Sequence, residues 1–294
     1  MLERNVPAGS VAAVVLGIMQ DAGLPHVGCR CPRCVVAYRD PRRTEYAVAL
    51  ALVDNGRRPA GVWLVDATPD IRHQLNLLAR WLGPDLEPGK RLRQPDGVLL
   101  THAHMGHTAG LAQLGPEGMN VHDLPVYGPA GVLDVLQETR LWQPLRAGLS
   151  LVPLPPGRPY GLSDHLSVTP LAVPHRDELG AGTFAYHVQG PARSLLYVPD
   201  VDGWEQWPGA RAALAAVDVA LLDATFYSRD ELGGRAPVAH PLVPETMSLA
   251  ELPGRLVLTH LNHTNPLLDE HGEARRMVAA AGVDVARTGE VIFL

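Results

Sequence analysis

Long apolar runs are missing from this chain. No stretch reaches the ~20 residues that span a bilayer, so a membrane is excluded as a partner. The apolar segment Val11–Met19 follows a leader with Glu3 and Arg4 and no basic bias. It ends in Gln20-Asp21-Ala22-Gly23 without a small-x-small cleavage signature, so it reads as a first buried strand rather than a secretory signal. A cytoplasmic location is expected. Blocks of one charge are missing too. The net charge of −6 is spread along the sequence with no basic stripe, which excludes long nucleic acid as a partner. Cysteine is scarce: three residues, all between Cys29 and Cys34, so an intramolecular disulfide framework would leave one thiol unpaired.

What is present is core and turn. Hydrophobic residues make up 46% of the chain against 19% charged, enough for a sizeable interior. The 27 prolines and 29 glycines fall between apolar runs and imply tight turns and shaped loops rather than disorder. Strands are expected at Val11–Met19, Tyr46–Val53 and Gly61–Val65, the last two joined by the hairpin signal Asp54-Asn55-Gly56. Asp66-Ala67-Thr68-Pro69-Asp70 opens a helix from Ile71 to about Leu82, with Thr68 as N-cap and Pro69 at its first position. Leu75, Leu78 and Leu82 form its core face. Two strands around a Pro/Gly-rich turn occupy 150–172. Further strands follow at 183–188, 194–198, 217–222, 255–258 and 290–294, with helices among them. No linker divides the sequence, so residues 1–294 read as one domain. Two strand-rich halves, each with helices, predict an α/β four-layer αββα sandwich.

Three histidines in six residues carry the chemistry. Thr101-His102-Ala103-His104-Met105-Gly106-His107 follows the apolar run Gly97-Val98-Leu99-Leu100. At a strand end, His102 and His104 point to one face because side chains repeat every two residues, and His107 comes back to the same point from the following helix. Three close imidazoles are costly without an ion. His175, Asp200 and His260 likewise sit just after apolar runs. Loops leaving one edge of a sheet sandwich converge on a single site, with Asp200 the natural bridge between two cations. Cys29-x-Cys31-x-x-Cys34 requires a fourth ligand to close a tetrahedral structural zinc.

The motif His-x-His-x-x-His with a distant His, Asp and His resembles the metallo-β-lactamase superfamily over nearly the whole chain. Within it, the sequence is most similar to the pyrroloquinoline-quinone biosynthesis protein B group. That likeness is carried by the cysteine motif, by Asp66-Ala67-Thr68-Pro69-Asp70-Ile71-Arg72, by Asp223-Ala224-Thr225-Phe226-Tyr227 with Asp230-Glu231, and by His260-Leu261-Asn262-His263-Thr264-Asn265-Pro266. The chain is also similar to the phosphodiesterase of the carbon–phosphorus lyase operon and, more remotely, to tRNase Z.

The resemblance implies one ion on His102, His104 and His175, and a second on His107, Asp200 and His260. It implies a zinc clip of Cys29, Cys31, Cys34 and His263, and His240 as proton donor to a leaving group. One departure stands out: Gly106 replaces the family's Asp, so the second ion lacks a ligand. Asp200 and Asp223 are candidates for the lost acid's work, and the glycine leaves room for a water or a substrate group. The quinone group departs differently, having lost the two leading histidines while keeping that Asp.

The expected activity is hydrolysis of a small phosphodiester or ester by metal-activated water. It uses one or two zinc or manganese ions, with His240 and Asp200 as catalytic groups. The alternative is iron-dependent oxidation in quinone-cofactor synthesis, because a mixed histidine–carboxylate site also suits non-haem iron. The partner is a small molecule, and a homodimer is compatible with the chain.

Overall fold

The computed structural model describes residues 7–83, 89–235 and 239–294. The first half of the chain supplies β1 (Val11–Gly17), β2 (Ala49–Asp54), β3 (Gly61–Val65), β4 (Gly97–Leu99), β5 (Leu124–Gly128) and β6 (Leu149–Pro153). The second supplies β7 (Tyr160–Ser163), β8 (Leu166–Ala172), β9 (Phe184–Gln189), β10 (Ser194–Val198), β11 (Val219–Asp223), β12 (Arg255–Thr259), β13 (Asp284–Val285) and β14 (Val291–Phe293). They form two sheets, ordered β14-β1-β2-β3-β4-β5-β6 and β13-β12-β11-β10-β9-β8-β7. The final strand returns to the first sheet and pairs antiparallel with β1, Ala12 opposite Phe293.

The unbroken apolar character of β1, β2 and β3 follows from burial on both faces. Val15, Leu50 and Trp63 pack between the sheets, in one cluster with Val168, Tyr186 and Tyr197 of the opposite sheet. The alternate residues Val14, Ala51 and Leu64 face the other way, onto Ile71, Leu78, Val132 and Leu136 of the outer helices. That arrangement is the expected four-layer sandwich. Among the described residues, no helix is long and apolar enough to cross a membrane.

Two segments differ from expectation. The helix at 71–82 breaks at Leu78 into Ile71–Leu77 and Ala79–Leu82. Leu78 N–H donates to Leu75 O, tightening the turn, while Leu75, Leu78 and Leu82 all stay buried. Asp70, not Thr68, occupies the N-cap, and its carboxylate instead accepts from Ala47 N–H, pinning the helix to the lead-in of β2. In 150–172 there are three strands rather than two. β6 pairs with β5, and the chain then crosses at 154–159 to begin the second sheet with β7 and β8.

Candidate metal centre

Parallel pairing sets the site. β3, β4 and β5 run parallel in one sheet and β10, β11 and β12 in the other, so the ends of these strands supply neighbouring loops. Asp66 follows β3, Thr101–His107 follow β4, Asp200 follows β10, Asp223 ends β11 and His260 follows β12. β4 stops at Leu99, so His102 and His104 lie in a loop and not on one strand face as expected. The ladder ends there because Asp66 Oδ1 accepts from Thr101 N–H at 2.8 Å, taking the place of a strand partner. His107 lies on the one-turn helix Met105–Thr108.

Several of these side chains lie within ligand distance of one another. His104 Nδ1 lies 2.9 Å from His102 Nε2 and 3.4 Å from His175 Nε2, a threefold set of nitrogens. Asp200 stands beside it. Its Oδ1 is 3.6 Å from His175 Nε2 and 3.4 Å from His260 Nε2, and its Oδ2 is 3.3 Å from His107 Nε2. Tetrahedral nitrogen or oxygen ligands ~2.0–2.1 Å from a zinc lie roughly 3.3–3.4 Å apart, close to most of these separations. His107 Nε2, Asp200 Oδ2 and His260 Nε2 are buried and have no hydrogen-bond partner. Unpaired buried polar atoms are costly, and bound cations beside them would satisfy them. The donor set therefore fits divalent metal.

Behind the ligands is a layer that fixes each ring. His102 Nδ1 meets Thr101 Oγ1 at 2.9 Å, and that hydroxyl donates to Asp66 Oδ2 at 2.9 Å. His107 Nδ1 reaches the same Asp66 oxygen at 2.7 Å. The other sheet repeats the device. His260 Nδ1 meets Thr225 Oγ1 at 2.7 Å, and Thr225 Oγ1 donates to Asp223 Oδ1 at 2.7 Å. Such partners select the tautomer that leaves the other nitrogen free to ligate. Asp66 and His260 adopt positive φ, 69° and 60°, strain that locates with the site.

Asp223 is thus oriented away from the ligand atoms: it serves Thr225, Val201 N–H and His240. It does not take the place of the missing carboxylate. His240, which sequence similarity singled out, is buried, with its ring centroid 5.2 Å from that of His260 and 5.4 Å from that of His175. Its Nδ1 lies 2.8 Å from Asp223 Oδ2. Burial lowers its pKa, but the Asp223 charge and hydrogen bond outweigh burial and raise it to about 9.

The cysteine loop lies against His263. Sγ of Cys29, Cys31 and Cys34 lie 3.8, 3.8 and 3.6 Å from His263 Nδ1. With Zn–S ~2.3 Å and Zn–N ~2.0–2.1 Å, a tetrahedral site places sulfur and nitrogen roughly 3.6 Å apart. Burial, then the neighbouring thiols, push Cys34 up to about 11. A metal ion would favour its thiolate. His26, just before the cysteine loop, sets its ring tilted against that of His263, centroids 4.5 Å apart, and donates its backbone N–H to Cys34 Sγ.

One residue went unread. The space at Gly106 is not left open for a water or a substrate group but is taken by the carboxylate of Asp21: a Cβ at Gly106 would overlap it. Asp21 Oδ1 lies 3.3 Å from His107 Nε2 and 3.7 Å from His260 Nε2, and it too is buried without a hydrogen-bond partner. Burial raises this carboxyl's pKa, but His107 and His260 more than offset that and hold it well below the usual carboxylate range. The sequence offered only Gln20-Asp21-Ala22-Gly23, which reads as a turn, and nothing local links it to Gly106. A second signal was readable: Asp-Ala-Thr occurs at both 66–68 and 223–225, at corresponding places in the two sheets.

Comparison with known proteins places these observations. The Beta-lactamase superfamily domain matches residues 63–281. Coenzyme PQQ synthesis protein B of Methylobacterium nodulans is 32% identical, the match covering 96% of this chain and 99% of that protein. The crystal structure of Zn(2+)-bound PqqB from Methylobacterium extorquens superposes with a TM-score of 0.81 at 26% identity, covering 96% of this chain and all of that one. A diphosphatase of the PhnP family superposes with a TM-score of 0.72 at 21% identity over 97% of each chain, a likeness of fold.

Proposed function

This chain belongs to the beta-lactamase superfamily, among the relatives of coenzyme PQQ synthesis protein B, and on that premise we propose that it is a metal-dependent enzyme of quinone-cofactor synthesis acting on a small organic molecule. The observation that carries this reading is the chain-long similarity to that protein, joined to a buried site with mixed histidine and carboxylate donors. His102, His104 and His175 would hold one ion, and His107, Asp200 and His260 a second. Iron bound there would supply dioxygen chemistry, for which an open histidine–carboxylate set is suited. The protein's own groups do the rest. Asp66 and Asp223 fix the imidazoles through Thr101 and Thr225. His240, which Asp223 raises to about 9 in the metal-free protein, is the group placed to give a proton to an oxygen of the substrate.

A second reading, hydrolysis of a small phosphodiester or ester, is favoured by one feature: the His240–Asp223 pair is an acid held beside the ligand cluster, as a leaving group requires. Zinc or manganese would then supply a nucleophilic water at neutral pH.

The two readings separate in one set of assays. Protein loaded with ferrous iron without air is exposed to oxygen together with small phenols, the chemical precursors of quinones. The same protein loaded with zinc or manganese is given bis(4-nitrophenyl) phosphate. Iron-dependent oxygen uptake with phenol consumption supports the first reading, and 4-nitrophenol release without oxygen uptake supports the second. His102→Ala should abolish whichever activity is found, and full activity in that variant would refute both.

A further inference from the structure

The family's second ion normally takes a carboxylate from the position that Gly106 occupies here. We propose that Asp21 is that ligand in this chain, delivered from the loop after β1 instead of from the histidine segment. The proposal rests on the reading that the histidine cluster holds metal, and goes beyond it by completing the second site. Asp21 Oδ1, His107 Nε2 and His260 Nε2, three buried atoms that lack any hydrogen-bond partner, lie together as one group of possible ligand atoms, and a fourth such atom, Asp200 Oδ2, is 3.3 Å from His107 Nε2. A carboxylate held there only for structure would be expected to find an N–H or O–H donor, because an unpaired buried oxygen is costly. Asp21 Oδ1 has none and faces two imidazole nitrogens, each with its other nitrogen already committed behind it.

Steric exchange supports the same conclusion. Gly106 is the one residue type that admits the Asp21 side chain, since a Cβ there would overlap its Cβ, Cγ and Oδ1. The two positions are therefore reciprocal: side chain at one, none at the other. The loop around Asp21 is also fixed in place. Gln20 N–H donates to Leu261 O at 2.9 Å and Leu261 N–H to Ile18 O at 2.7 Å, so the loop is laddered to the residue beside His260. Further on, the same loop runs to Cys29, whose sulfur faces His263. Asp21 and His260 are thus held as one unit, as two ligands of one ion need to be.

The test is a ligand transposition read by metal content. Wild type, Asp21→Asn, Gly106→Asp and the double variant Asp21→Gly/Gly106→Asp are equilibrated with manganese, freed of loose metal and measured by elemental analysis. Exchange-coupled manganese signals in electron paramagnetic resonance report whether two ions sit side by side. Wild type should show the coupled pair. Asp21→Asn should lose it, with second-ion affinity falling by more than the roughly 10–100-fold that an outer-shell change costs, while the first ion and the cysteine-bound zinc stay. The double variant should regain the pair, which a purely structural role for Asp21 does not predict. An Asp21→Asn protein with the full pair, or a double variant that folds without regaining it, overturns the proposal. A wild type that takes up no ion beyond the cysteine zinc overturns the metal reading itself and the proposal with it.

Discussion

Asp66→Asn tests the outer layer of the site with almost no change of shape. Asn tolerates the positive φ of 69° at this position, so the backbone should hold. Asp66 Oδ1 accepts from Thr101 N–H, and the Asn carbonyl can keep that bond. The amide nitrogen then replaces Oδ2, 2.7 Å from His107 Nδ1. Two donors cannot share that contact, so His107 must accept at Nδ1 and carry its proton on Nε2. Nε2 is the atom 3.3 Å from both Asp21 and Asp200, and a protonated nitrogen cannot ligate. Loss of an orienting partner costs about 10–100-fold in metal affinity, or about 1.4–2.7 kcal/mol. The first ion should be spared, because Thr101 Oγ1 can still donate to the retained oxygen, 3.0 Å away, while accepting from His102. Calorimetric titration of the metal-depleted variant with manganese resolves the two affinities. Unchanged binding of the second ion would refute the tautomer argument, and equal loss at both sites would show that Asp66 acts through the loop rather than through His107.

Other expectations follow from the same geometry. In metal-free protein, the His240 ring protons should titrate in NMR at about pH 9, the cationic form being lost as pH rises through that value; Asp223→Asn should move the midpoint down, and an unmoved midpoint would remove Asp223 as the cause. Cys31→Ser should release one zinc per chain while the His102–His104–His175 ion binds as before. Because the loop to Cys29 carries Asp21, the second ion should bind more weakly in that variant; elemental analysis and titration check both points. Gly110→Ala should cost about 1–3 kcal/mol or more, since its Cβ would overlap the carbonyl oxygens of Thr68 and Ala67, backbone atoms that cannot swing away. A thermal midpoint unchanged by that substitution would contradict the packing described for the loop after Asp66.

Much of the fold was legible because burial on two faces writes itself as unbroken apolar runs: β1, β2 and β3 fell where Val11–Met19, Tyr46–Val53 and Gly61–Val65 placed them. The helix at 71–82 was legible in its buried leucines but not in its break at Leu78, since both pieces keep the same apolar face. The third strand in 150–172 was hidden because β7 and β8 are only half buried and lack that signature. For the site, residues brought together in short motifs could be read, and so could those standing after apolar runs, since strand ends gather at one edge. Side-chain alternation puts His102 and His104 on one strand face, but β4 stops at Leu99, where Asp66 caps Thr101 N–H, and both lie in the loop beyond. Asp21 was not readable at all. Its partner is an absence, the missing side chain of Gly106, and the two positions meet only when β1 and β4 lie in one sheet.

That exchange is intelligible from how the site is built. Asp66 and Asp223 each close a strand, one in each sheet, and each holds a threonine and a histidine by short hydrogen bonds. These four-part units fix His102, His107, His240 and His260 from behind, through bonds that owe nothing to the carboxylate in front. A carboxylate in front need only reach the point where the free nitrogens meet, and several loops open onto that point. Its source can therefore change from the histidine segment to the loop after β1 without moving an imidazole. Moving Asp66 or Asp223 could not be accommodated in this way, because each orients two histidines at once. By this reasoning, a transposed front carboxylate should restore the second ion, whereas no substitution on another loop should restore it to Asp66→Asn.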